Sequence, residues 1–412
     1  MSRFTQTMTR LQPRHRAVMV AFAALLLLVT TALLVPSGDD RDEGALAPLT
    51  GPTYAARDSA PGPGVVSAAD RAEIDRVLAT APDRVSARLS ATELAERLVR
   101  CAEFEEQRYC LGVGWTTADP ELVRARATAA PHAASRSIFV ETTGDLETSD
   151  LLAQRAALPA PERLAAERAE LEAAARGVAK VVLLRHQVLG EPVPDGFLER
   201  HPEARATTDS NATAARGTPK TRADYPRRST VLSTKRTRAQ NTTYWCGPAT
   251  MQMIAWGWQK ERKRQGHWAD KLGTTTSGSA ISEMVRVING STGWDREEYA
   301  GDYVVLDISN WSYKKWLLLQ MRHIEDYRAP VVLHPILLRT FYPYLDDDAS
   351  GHFQVGRGYD KRGSKPAHLG YFEPWDQQRF DPSEPSIARV QWRSAYQSFR
   401  ANQAHPHQNI GV

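Results

Sequence analysis

The chain has 412 residues, 42% apolar and 24% charged, an ordinary balance for a globular protein and more length than one small core takes up. Its net charge is +4 at pH 7, but Arg3, Arg10, Arg14 and Arg16 all precede the first acidic residue, and the remainder balances at 48 basic against 48 acidic residues. That neutrality excludes bulk electrostatic attraction to nucleic acid.

Ala17 to Val35 is an uninterrupted run of 19 residues, apolar except for Thr30 and Thr31. The arginines before it and Pro36-Ser37-Gly38-Asp39-Asp40 after it form the pattern of an export signal whose positive end stays inside. Its length falls between the apolar region of a cleaved signal, about 7 to 15 residues, and a spanning helix, about 20. Residues 1–36 are therefore expected to be a signal peptide or membrane anchor. The chain would be extracytoplasmic, either anchored through residues 17–35 or secreted after cleavage.

Residues 37–66 carry Asp, Gly, Pro and Ala without periodicity, including Pro61-Gly62-Pro63-Gly64, and are expected to be a linker. From Ser67 the pattern turns helical. Ser67-Ala68-Ala69-Asp70 resembles a cap ahead of Ile74, Val77 and Leu78, and Ser90-Ala91-Thr92-Glu93 is a capping box ahead of Leu94 and Leu98. A third helix is expected from Pro161 through Leu164 and Leu171 to Ala175. Residues 67–206 are thus expected to form a mostly helical domain with no motif that points to chemistry. Residues 207–239 are expected to be a second, basic linker, with eight Arg or Lys between Arg216 and Arg238 against the single Asp224.

There are three cysteines, and export would place them in an oxidising compartment. Cys101 and Cys110 can close a small loop or remain two buried thiols. Either way Cys246 is left unpaired, and an odd cysteine in an exported chain hints at a reactive thiol.

The region 240–412 holds most of the tryptophans and tyrosines. In it, Cys246-Gly247-Pro248 precedes Ala249, Met251, Met253, Ile254, Ala255 and Trp256, apolar on more than one face, as in a buried helix. Proline favours the first helical turn, so the sulfur is expected at a helix N-terminus, whose partial positive charge favours thiolate. Gln240, six residues upstream, can bring its side-chain N–H together with the Cys246 backbone N–H on one developing oxyanion. Gly273-Thr274-Thr275-Thr276-Ser277-Gly278 reads as a polar turn leading into a helix with Ile281, Met284, Val285 and Ile288 on one face. Val304-Val305-Leu306 and Val331-Val332-Leu333 read as strands. Helices first and strands later argue for an α+β layout.

Further on, Gly351-His352-Phe353-Gln354-Val355-Gly356-Arg357-Gly358-Tyr359-Asp360 has a strand pattern, followed by a turn and by Leu369-Gly370-Tyr371-Phe372-Glu373-Pro374. With the hairpin centred between Arg362 and Gly363, His352 and Glu373 face each other as direct cross-strand neighbours. A carboxylate there accepts from one imidazole nitrogen and leaves the other for a thiol. A shifted turn would bring in Asp376, and Asp360 is a third candidate at the far end of the strand. His334 reads as structural, and His405-Pro406-His407 lacks the nearby acid or cysteine cluster a metal site needs. No metal and no organic cofactor are expected.

With Gln240, Tyr244-Trp245-Cys246-Gly247-Pro248-Ala249 and the Gly351–Asp360 block together, residues 240–412 resemble the bacteriocin-processing, double-glycine-leader cysteine peptidases, and most of all their exported C-39-like relatives of papain-like fold. The resemblance implies Cys246 as nucleophile, His352 as general base and acid, Gln240 as oxyanion donor and Glu373, in Glu373-Pro374 where the family has Asp-Pro, as the acid. Trp245, Gly351 and Thr276 are the candidate substrate contacts. The expected activity is amide hydrolysis on a peptide or protein substrate, with a membrane contact through the N-terminal segment. A cell-wall peptide amidase or transpeptidase bound to wall polymer, and a catalytically silent peptide-binding module, are the alternatives. A latent arrangement, with residues 67–239 over the groove, is also compatible with the sequence.

Overall fold

Ser67 and Ser90 cap helices as their spacing predicts. Each side chain accepts from the backbone N–H three residues on, and Asp70 and Glu93 reach back in turn, starting the Ala68–Ala79 and Ala91–Leu98 helices. The third expected helix is longer, Ala160–Leu189, and ends at Gly190 in the left-handed conformation that glycine adopts without a Cβ penalty. The computed structural model describes residues 64–128, 142–202, 204, 219–291, 301–362 and 367–412, all within one unit, Gly44–Val412. The expected signal or anchor at 1–36, nearly all of the 37–66 linker and residues 207–218 of the basic linker lie outside the described residues. No helix among the described residues is long and apolar enough to cross a membrane.

Mixed helix and sheet are found as expected, but the stretch 67–206 is not purely helical. It contributes three short strands, β1 (Cys101–Phe104), β2 (Gln107–Cys110) and β3 (Gly114–Thr116). Cys101 and Cys110 sit directly opposite each other on β1 and β2 and are disulfide-bonded. The remaining strands are β4 (Arg228–Thr230), β5 (Val305–Asp307), β6 (Val331–Leu333), β7 (Gln354–Asp360), β8 (His368–Phe372), β9 (Val390–Ser394) and β10 (Asn409–Gly411). The ten strands among the described residues form one sheet in the order β1-β2-β3-β5-β10-β6-β7-β8-β9, with β4 on the side of β7. The meander joins it through a parallel bridge between Trp115 and Leu306, and Thr116 Oγ1 donates to Asp307 at 2.6 Å.

Two apolar clusters flank this sheet. One packs the Ala160–Leu189 helix and the Tyr313–Glu325 helix against strand residues such as Leu306, Val331 and Tyr359. The other packs the Cys246–Gln259 helix through Met251, Met253 and Ile254 against Val332, Phe353, Val355 and Phe372. Burying a side chain of this size is worth about 1.5–3 kcal/mol, so the second cluster fixes the height of the Cys246 helix over the start of β7.

Candidate active site

Cys246 is the first residue of its helix, with Trp245 as N-cap. Pro248 stands third rather than first, and this sacrifices nothing, because the first N–H groups of a helix have no intrahelical acceptor. Thr250 ties the helix to the strand start, its hydroxyl donating to the Phe353 carbonyl at 3.3 Å. The sulfur is buried and accepts from the backbone N–H groups of Gly247 and Phe353. Phe353 directly follows His352, so the thiol lies against the backbone of the expected base. The expected thiolate, however, is not favoured. Burial pushes the Cys246 thiol well up, the Asp145 carboxylate adds to this, and the two N–H contacts only partly oppose it.

His352 and Glu373 meet, though not by the expected register. β7 and β8 pair Val355 with Phe372 and Gly356 with Tyr371, then shift by one residue at a bulge between Gly356 and Gly358. Carried on, this register sets Gln354 opposite Glu373, and His352 lies two residues further along the same edge. A slip of two keeps both side chains on one face, and the long glutamate arm spans the diagonal. His352 Nε2 lies 2.8 Å from Glu373 Oε1, both groups fully buried. Trp375 N–H donates to the same oxygen at 2.9 Å, while Tyr344 and Gln354 each donate to Oε2 at 2.7 Å. Burial raises the Glu373 carboxyl, and the electrostatic pull of His352 with these hydrogen bonds more than reverses it, so the group sits below its usual range. A carboxylate only accepts, which assigns the ring proton to Nε2. Nδ1 is buried and without a hydrogen-bond partner among the described residues. Asp376 instead faces Arg389, and Asp360 pairs with Arg362.

Gln240 is fully buried, held by its N–H to the Pro374 carbonyl at 2.9 Å. Its Nε2 points at three carbonyls, those of Thr242 and Thr243 at 3.0 Å and that of Thr143 at 3.2 Å. The Cys246 backbone N–H donates to the same Thr143 oxygen, also at 3.2 Å. The two donors expected to converge on an oxyanion do converge, on a carbonyl belonging to the chain itself.

That carbonyl belongs to an extended stretch laid across the site. Thr143 N–H donates to Ser350 Oγ at 3.0 Å and its hydroxyl to the Gly351 carbonyl. Ser279 N–H donates to the Gly144 carbonyl and Leu146 N–H to the Ser279 carbonyl, both at 2.9 Å, with Asp145 bridging Ser279 in parallel. Gly144 passes so close to Tyr244 that a Cβ would fall on the Tyr244 carbonyl, and one on Gly278 would fall on the Gly144 carbonyl. Of the expected substrate contacts, Trp245 is buried beside Cys246 and Thr276 is exposed at the tip of its turn, where Gly278 and Ser279 make the contacts instead. Gly351 is at the site: a side chain there would strike Asp145 and His405.

Asp145 ends in a second buried cluster. Its two oxygens lie 2.8 Å from His334 Nε2 and from His405 Nε2. His334 Nδ1 reaches Asn409 Oδ1 at 2.7 Å, His405 Nδ1 accepts from His407 N–H at 3.1 Å, and His407 Nε2 accepts from Thr148 N–H at 3.0 Å. Burial alone would raise the Asp145 carboxyl, and the two histidines more than reverse that and hold it well below the usual range. By distance, His334, His405, His407, Asp145 and Glu147 include two groups that could hold a cation. Both ring nitrogens of His334 and His405 and the Nε2 of His407 are already committed to protein partners, so no cation is needed to satisfy them. The acid that His405-Pro406-His407 lacks in sequence is supplied from 260 residues away.

Residues 235–401 match the model of the Peptidase_C39 like family. Over these residues the C-terminal region is similar to the C-39-like peptidases. No curated protein and no solved structure matches the chain. The family points to cysteine peptidase chemistry, and the C-39-like region contains Gln240, Cys246, His352 and Glu373. It excludes Thr143, Gly144 and Asp145, which sequence reasoning did not single out: they form a short polar stretch with no periodicity, and only their fold-level partners mark them.

Proposed function

We propose that the chain is an exported cysteine peptidase that cleaves an amide bond in a peptide or protein through Cys246, His352 and Glu373. The observation that carries this reading is the convergence of Cys246 N–H and Gln240 Nε2 on one carbonyl oxygen, the arrangement a tetrahedral oxyanion requires. In the proposed cycle His352 Nδ1, kept as an acceptor by the Nε2–Glu373 bond, takes the thiol proton, and the sulfur attacks the carbonyl carbon. The oxyanion forms between the two donors. As it collapses, His352 protonates the leaving amine, and water, activated by the same ring, then hydrolyses the thioester. A helix bearing the nucleophile, packed on an antiparallel edge bearing base and acid, supports a papain-like reading of residues 240–412. The Cys101–Cys110 bridge supports export, with residues 17–35 as anchor or cleaved signal. The raised thiol favours one rival reading, a silent module that only binds peptide.

The test is labelling by a thiol-directed epoxide together with product analysis on an unstructured protein and on purified cell-wall peptide. Cys246→Ala is expected to abolish labelling and to lower hydrolysis by at least about 10³-fold. Hydrolysis that persists in this variant removes the nucleophile assignment. Labelling no faster than that of a small free thiol, in a chain whose cleft is open, favours the silent module.

A further inference from the structure

We propose that the stretch Thr143–Thr148 is an intramolecular inhibitor, and that the chain rests in a latent state in which this stretch fills the oxyanion site of the C-39-like domain. The inference rests on the peptidase reading for what is inhibited, but not for the occupancy itself. Four groups of contacts support it, each made by a different part of the chain. The Thr143 carbonyl takes both oxyanion donors, from Cys246 and Gln240. The Thr143 N–H and hydroxyl are held by Ser350 and Gly351, just before His352. Gly144 to Leu146 pair with Ser279. Asp145 is clamped between His334 and His405, and the Thr148 N–H by His407.

The occupancy is built rather than incidental. A loop resting on a surface does not bury a carboxylate against two imidazoles, because an unpaired buried charge costs several kcal/mol. Here the carboxylate, both histidines and the backbone around them are all satisfied. The glycines at 278 and 351 are placed where a Cβ would collide with the stretch or with its clamp, and Gly144, within the stretch, lies where a Cβ would strike the Tyr244 backbone. Gly247 adds to this, since a Cβ there would press on Ser279, which holds the stretch. A substrate carbonyl must take the place that Thr143 holds, so binding and occupancy exclude each other. Asp145 also adds its charge beside a buried thiol, which opposes thiolate formation for as long as the stretch stays in place.

The experiment uses the full chain and two variants that release the stretch by different means. Asp145→Asn removes the charge held by His334 and His405. Gly144→Ala puts a methyl group into the Tyr244 carbonyl and leaves the clamp residues intact. Epoxide labelling of Cys246 is expected to rise at least about tenfold in both variants, the effect of shifting a two-state equilibrium towards the open form. A synthetic peptide with the sequence of residues 142–148 is expected to slow that labelling again. Deuterium uptake at residues 142–148 is expected to be slow in the parent chain and fast in both variants. Unprotected exchange there in the parent chain, or variants that keep a parental unfolding transition yet label no faster, would overturn the proposal. Fast labelling with no hydrolysis of any peptide would leave the latent state standing and remove the peptidase reading.

Discussion

The histidine–carboxylate grouping at His352 and the one at Asp145 differ in what the rings do with their other nitrogen. At His352 the contact to Glu373 is 2.8 Å and Nδ1 is left without a partner. At His334 and His405 the contacts to Asp145 are also 2.8 Å, but each Nδ1 is occupied, by Asn409 and by the His407 N–H. Distance to the acid does not separate these groupings; the spare lone pair does. A ring with every nitrogen satisfied acts as a fastener, whereas one held on a single side keeps a site for a proton that has to move. The carboxylates differ in the same way. Glu373 comes from the strand next to its histidine, while Asp145 arrives from the N-terminal half of the chain.

The strongest attack on this contrast is to change which ring nitrogen of His352 carries the proton. Glu373→Gln offers an amide that can donate to Nε2, which favours the tautomer with the proton on Nδ1. The turnover of an opened chain is expected to fall by about 10²–10⁴-fold, read as kcat on a peptide substrate. An unchanged kcat would mean that the spare nitrogen has no part in the chemistry. A smaller effect should come from the other grouping. His405→Gln removes one partner of a buried carboxylate and is expected to lower stability by about 1–3 kcal/mol, measured by denaturant unfolding, while hydrolysis is retained or raised. Loss of hydrolysis in a folded His405→Gln chain would merge the two groupings into one machine.

The mildest probe is pH. His405 is pushed down to about 4, chiefly by burial, so the unfolded chain binds a proton before the folded one does. Stability from this group is complete above its ordinary value of about 6.5 and is lost as pH falls towards 4. Asp145, also depressed, holds its contribution until still lower pH. Glu147 works in the opposite sense: burial, with Asp145 beside it, pushes it up to about 8, so its contribution fades as pH rises from 4.5 to 8. Burial also pushes His407 and His323 well down, in the same sense as His405, and together these three rings outweigh Glu147, so the unfolding midpoint is expected to drop as pH falls from 6.5 to 4, less steeply in His405→Gln than in the parent chain. Equal slopes would detach His405 from the effect.

Much of the geometry of the proposed site was legible in sequence because its members sit in local patterns. A cysteine ahead of Gly-Pro and an apolar run marks a helix start, and a histidine and a glutamate around one turn face the same side whenever the register error is even. The bulge between Gly356 and Gly358 made the error even, so the Glu373 pairing survived a misplaced turn. The fold's larger plan was less legible. β1 to β3 are three or four residues each, too short for alternation to stand out between strong helical repeats. The thiol's proton affinity was read with the wrong sign, because a helix N-terminus is visible in sequence whereas burial and a carboxylate from position 145 are not. Asp145 and its histidines are separated by 189 and 260 residues, and no window on the sequence joins them.

The Thr148–Ala157 helix begins where the cleft-filling stretch ends, so the two are one continuous piece of chain. A blocking group tethered in this way acts at an effective concentration on the order of millimolar, however dilute the protein is. Weak individual contacts are then sufficient, and adding more enzyme would not titrate the block away. Only severing or unseating the tether would.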